Sequence, residues 1–139
     1  MQPVPLRGGN WGEPTTLALE RTKNSRGVSY QMDIHYTGND WLFIQEQDSL
    51  QLLVDGKLMV FSGRSSWVDK NINTLLLGVG TVQVEEDAYY PVTYGQLKAI
   101  SSAHEVKAKI VGKKYYVDRE FPRQVLEDIG KFISEYGQE

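Results

Sequence analysis

A carboxylate and an imidazole on one strand face, two residues and so about 7 Å apart, can form the core of a general base. The carboxylate orients the ring and favours its charged form. Here that pair is Asp33 and His35. No nucleophile or third partner completes it, and polar faces of half-buried strands carry such pairs by default. The expectation is a solvated strand face with no catalytic role for His35. Glu85-Glu86-Asp87 offers the hard oxygen ligands that Ca²⁺ and Mg²⁺ prefer. In a strand, however, Glu86 points away from its two neighbours, which leaves too few ligands on one side. The expectation is no metal, with Glu85 and Asp87 paired across strands to Lys107 and Lys109.

Other motifs fail on context. Tyr94 and Lys98 have the Tyr-x-x-x-Lys spacing of short-chain dehydrogenases, but no Gly-rich phosphate loop follows an N-terminal strand and no parallel βαβ pattern is present. There is no Gly-x-Ser-x-Gly elbow and no phosphate-binding Gly-Lys-Ser/Thr loop. The only histidines are His35 and His104, and cysteine is absent, so zinc and thiolate chemistry have no ligand set. Lys107, Lys109, Lys113 and Lys114 with Tyr115 and Tyr116 could grip a phosphate or stack a base. Glu105, Asp118 and Glu120 dilute that patch, which reads as the solvated tip of a hairpin. The aromatic residues (Trp11, Trp41, Trp67 and eight tyrosines) suit either a binding surface or a sheet core. The candidates for contact with a ligand or partner are therefore Trp41, Trp67, Asp33, His35, Tyr115 and Tyr116, with no catalytic residue, metal or cofactor expected.

The composition bounds the class. With 139 residues, 40% apolar and 24% charged, the chain fits one folded domain with its own core. A net charge of -3 argues against nucleic acid or an anionic membrane as partner. No apolar run approaches a membrane span, and no signal-peptide core is visible. Residues 1–13, rich in Pro and Gly, read as a flexible lead before a domain over residues 14–139. Such a lead could follow a removed export signal or be a native start.

The elements that must position the candidates follow from periodicity. Trp41 to Gly63 is the centre. Asp55-Gly56 between two apolar runs is a hairpin signal, with Leu52 opposite Met59 and Leu53 opposite Leu58. Both faces of the hairpin are apolar, so cover on two sides is expected, and Trp41-Leu42-Phe43-Ile44 reads as a doubly buried strand. Thr16–Arg21 is a first strand, Asn24–Gly27 a turn, and Val28, Tyr30, Met32, Ile34 and Tyr36 alternate with polar residues on a half-buried strand. Residues 63–74 read as a loop with Trp67 folded back as a lid. Leu75–Tyr90 reads as a long strand bent at Gly78 and Gly80 and broken by Pro91-Val92. Thr93 and Gln96 form a capping box for a short helix to about Ala103. Val106, Ala108 and Ile110 face inward before a turn into Tyr115. Pro122 opens a helix whose stripe is Val125, Leu126, Ile129, Phe132, Ile133 and Tyr136, with Gly137 as its stop.

The strand ending Glu86 to Tyr90, the short helix after Thr93, the segment 103–112 and the closing helix resemble small β-sandwich domains of bacterial envelope proteins and lipoproteins. That likeness covers roughly residues 28–136. It implies an export origin, in the periplasm or at the cell envelope, with the cytoplasm as the alternative, and a binding or structural role. Together these readings give an α+β fold. About eight mostly antiparallel strands form a two-layer sandwich or partly open barrel, with one short and one C-terminal amphipathic helix. The expected function is a non-enzymatic interaction or structural domain with a protein partner. The alternative is an apolar or aromatic small ligand held between sheet and helix. An enzyme centred on Asp33 and His35 ranks third.

Overall fold

The computed structural model describes residues 1–9, 14–69 and 84–136. Among the described residues, nine strands and two helices follow in the order β1 (Val4–Pro5), β2 (Thr15–Asn24), β3 (Gly27–Gly38), β4 (Leu50–Val54), β5 (Lys57–Phe61), β6 (Arg64–Asp69), β7 (Val84–Val92), α1 (Tyr94–Ser101), β8 (Val106–Val111), β9 (Tyr116–Glu120) and α2 (Arg123–Tyr136). Strands pair antiparallel throughout, in a five-stranded sheet of order β1-β2-β3-β7-β6 and a four-stranded sheet of order β5-β4-β8-β9. The sheets do not close into a barrel, so the fold is the expected α+β sandwich. Period-two alternation puts Leu17, Leu19, Met32, Ile34, Tyr36 and Tyr90 on one inner face and Leu50, Leu52, Val106 and Ile110 on the other. The helices add Leu97, Ile100, Val125, Leu126 and Ile129 to the same continuous core.

Local chemistry explains the elements that follow the sequence pattern. Thr93 Oγ1 accepts the Gln96 N–H at 3.0 Å while Gln96 Oε1 accepts the Thr93 N–H at 2.9 Å. This is a complete capping box on α1. Asp55 and Gly56 have φ of 49° and 83°, as a tight β4–β5 turn requires, and the register is the expected one. Gly56→Val should therefore lose about 1–3 kcal/mol of stability, whereas Lys57→Val should lose little. Equal melting temperatures for the two variants would place the turn elsewhere.

Several expectations are corrected. The hairpin is covered on one side only: Leu53, Leu58 and Val60 remain 43%, 61% and 42% exposed. Their sheet has the other layer on its inner face, and among the described residues nothing lies over its outer one. Residues 64–69 are the edge strand β6 rather than loop, since pairing with β7 sets their conformation without any apolar alternation. Trp67 lies within this strand and is not a lid folded back from a loop. Pro91 does not end β7, which continues to Val92 beside β3. The β6 pairing stops at Tyr89, so the missing Pro91 N–H deprives no ladder partner on that side. Part of the supposed lead packs on the domain: Val4 pairs with Leu17, Leu6 is buried, and Arg7 bridges to Glu120 of β9. Glu85 and Asp87 cannot pair with Lys107 and Lys109, because β7 and β8 belong to different sheets. The readings on Trp11, residues 70–83 and Gly137 fall outside the described residues.

Candidate functional site: an aromatic platform on a buried carboxylate

Glu86 occupies an inward position of β7, between Val84 and Ala88, and is 0% exposed. A carboxylate there must find donors, because burying an unpaired charge is prohibitive. It finds three consecutive backbone amides: Leu42 N–H at 2.6 Å, Phe43 N–H at 3.0 Å and Ile44 N–H at 2.8 Å. Consecutive amides converge on one anion only if the backbone curls into a nest. The residue that curls it is Phe43, at φ 52°. This corrects the reading of Trp41–Ile44 as a strand: Leu42 and Ile44 turn inward to full burial, while Trp41 and Phe43 turn outward and stay partly exposed.

The β8–β9 turn clamps the same loop from the other sheet. Ile44 bridges Gly112, and the Lys113 N–H donates to the carbonyls of Leu42 and Phe43 at 3.3 and 3.1 Å. A Cβ at Gly112 would collide with the Leu42 carbonyl, so only glycine lets the two chains approach this closely. The loop is thus fixed between the two layers, and its fixed backbone displays rings. Trp41 stacks on Phe43 with centroids 5.5 Å apart and planes 15° apart. Trp67 of β6 meets Phe43 edge-on at 5.3 Å and 80°, and Lys113 Nζ lies 5.8 Å from the Phe43 centroid. Left-handed backbone at a bulky residue costs about 1–3 kcal/mol. Here that strain supports rings that the core does not contain: Trp67 is 48% exposed.

The second candidate cluster lies on the outer face of the five-stranded sheet. His35 does not meet Asp33. Its Nδ1 lies 2.7 Å from Asp87 Oδ1 and its Nε2 lies 2.8 Å from Glu85 Oε1, across the β3–β7 pair. Both contacts are donor-to-acceptor only when the ring carries both protons. Both ring nitrogens thus face carboxylates of β7, so the clamp ties β3 to β7 and the Asp33–His35 dyad is not formed. Asp33 instead accepts from Gln31 Nε2 at 2.8 Å. Burial raises its carboxyl above the ordinary range; the Gln31 bond opposes this, and the Glu20 and Asp87 charges reinforce it. A carboxyl raised in the folded state destabilises once it is ionised, and does so only above its unfolded value of 3.8. Asp33→Asn should therefore raise the melting temperature near pH 7, with the gain fading as pH falls below about 4. A gain unchanged at about pH 3 would refute this account of Asp33.

Of the six sequence candidates, Trp41 and Trp67 are brought together, with Phe43 between them. Asp33 and His35 lie on the opposite side of the five-stranded sheet from these rings. Tyr115 and Tyr116 sit at the β8–β9 turn, 39% and 52% exposed, with Lys109 Nζ 4.4 Å over the Tyr116 ring. Their link to the platform is Lys113 of the same turn. Phe43, Glu86 and Lys113 were not among the six. The usable signal was Glu86, a carboxylate at an inward position of an otherwise apolar alternation. Neither a protein-family model, nor a curated protein, nor a solved structure matches this chain.

Proposed function

We propose that this chain is a non-enzymatic interaction domain that binds a protein partner through the Trp41–Phe43–Trp67 platform, with the cell envelope as the compartment its resemblance implies. One observation carries the reading: a fully buried carboxylate and a left-handed aromatic residue fix a loop whose outward product is a cluster of rings, two partly exposed and Trp67 about half exposed. Rigid aromatic side chains add contact area with little loss of entropy on binding, and strained backbone concentrates at functional sites. The exposed Leu53–Leu58–Val60 face adds a second apolar surface of the kind that marks interaction sites.

The small-ligand alternative has less support. Between the five-stranded sheet and the helices, Tyr30 packs against Tyr94 and Phe132 at 6.3 and 6.2 Å, and the depression lined by Val28, Tyr30, Val92 and Tyr94 is open to solvent rather than enclosed. The test compares wild type, Trp41→Ala and Trp67→Ala for melting temperature and for proteins retained from an extract of the producing cells. The proposal expects near-wild-type melting for Trp67→Ala and loss of a specifically retained protein in both variants. Identical retention by all three proteins would overturn it.

A further inference from the structure

β6 is an edge strand. Among the described residues it pairs only with β7, and no strand lies on its other side. The direction of its free groups is visible at Ser65, whose N–H points away from β7 and donates to Glu46 Oε2 at 3.3 Å. In an antiparallel ladder the direction alternates, so the backbone N–H and C=O of Trp67 point outward as well. The first outward amide is therefore met by a side-chain carboxylate that stands where a neighbouring strand's carbonyl would be. The second belongs to the residue whose ring completes the platform.

Its charged residues, Arg64 and Asp69, stand at its two ends, and the edge between them lacks the usual blunting features. It contains no proline, no lysine and no glycine, and Trp67 at its middle is 48% exposed. A backbone partner added here would place every second side chain on the side of the sheet that carries Trp67. There Phe43 and Trp41 extend the surface away from the strand.

Resting on the interaction reading above, we infer that the partner is an extended peptide segment that adds to β6 as a further antiparallel strand. Its backbone takes the outward groups of Trp67 and displaces Glu46 from Ser65. One apolar or aromatic side chain of the segment, on the Trp67 side, lies on the Trp67–Phe43 rings. Affinity comes from the shared main-chain bonds, and selectivity from the alternate side chains.

The experiment uses the full chain and phage-displayed random nine-residue peptides as probe, with Trp67→Ala as counter-selection after its melting temperature is shown to match wild type. Recovered peptides are synthesised with single N-methyl groups at successive positions, and their affinities are measured. Strand addition predicts alternation: N-methylation at every second residue weakens binding about tenfold or more, and at the intervening residues has little effect. Hydrogen exchange should slow at the Trp67 amide when peptide is added. Trp67-dependent peptides that tolerate N-methylation everywhere, with no slowing at that amide, would overturn strand addition and leave the ring platform standing. Failure to recover any peptide that discriminates wild type from Trp67→Ala would overturn both.

Discussion

Glu86→Ala should lower stability by at least about 3 kcal/mol, because each buried donor left without an acceptor costs about 1–3 kcal/mol. The amides of Leu42, Phe43 and Ile44 lose their acceptor together, and each hydrogen bond to a charged group contributes about 1.5–3 kcal/mol. The loop cannot recover by becoming a strand, because Gly112 and Lys113 already hold its other side. Glu86→Gln is the sharper variant. Its amide oxygen can still accept, but its NH₂ group then faces a backbone donor, so it should fall between wild type and alanine. Urea unfolding measures the losses, and tryptophan fluorescence reports release of Trp41. Wild-type stability for Glu86→Ala would mean that the three amides have another acceptor.

Removal of residues 121–139 should leave a chain without fixed tertiary structure. α2 buries Val125, Leu126, Ile129, Phe132 and Ile133, and Phe121 before it is 3% exposed. Fully burying each such side chain contributes about 1.5–3 kcal/mol, while whole domains are stable by only about 5–15 kcal/mol. Tyr30, Leu97 and Ile100 would meet water where α2 had been. Fragment 1–120 should bind a hydrophobic dye and lose near-ultraviolet dichroism while keeping much of its far-ultraviolet signal. A cooperative thermal transition in a soluble fragment would make α2 an appendage.

The layers were legible from sequence because period and turn chemistry are local. The alternation over Val28–Tyr36, the Asp55-Gly56 turn, the Thr93–Gln96 box and the α2 stripe each name a physical constraint within a few residues. The site was legible in part. Trp41 and Trp67 stood out by type, but their meeting through Phe43 depends on a strand pairing and a loop conformation that no local pattern encodes. Trp41–Ile44 has the composition of a buried strand, and what prevents it from being one is Glu86, more than forty positions away. Likewise, apolar residues on both faces of β4–β5 predict cover on both sides, yet only the sheet order shows which face is left open. His35 was legible as a residue on a polar strand face. Its clamp by Glu85 and Asp87 was not, because it needs the β3–β7 register.

The central claim is that the rings exist for a partner and not for the core, and Phe43→Gly tests it most directly. Glycine accepts the left-handed backbone at position 43 without strain, so removing the ring also removes the reason for that strain. Relief of about 1–3 kcal/mol opposes the lost ring contacts, about 0.5–1.5 kcal/mol each, and the extra chain entropy of glycine, about 0.5–1 kcal/mol. With the partial burial of the ring also lost, up to about 1.5–3 kcal/mol when complete, unfolding free energy should fall by less than about 3 kcal/mol, while retention of the partner that depends on Trp67 is lost. Both quantities come from one preparation, by urea unfolding and by the retention assay. A loss of more than about 3 kcal/mol with partner retention intact would make Phe43 a core residue and contradict the account.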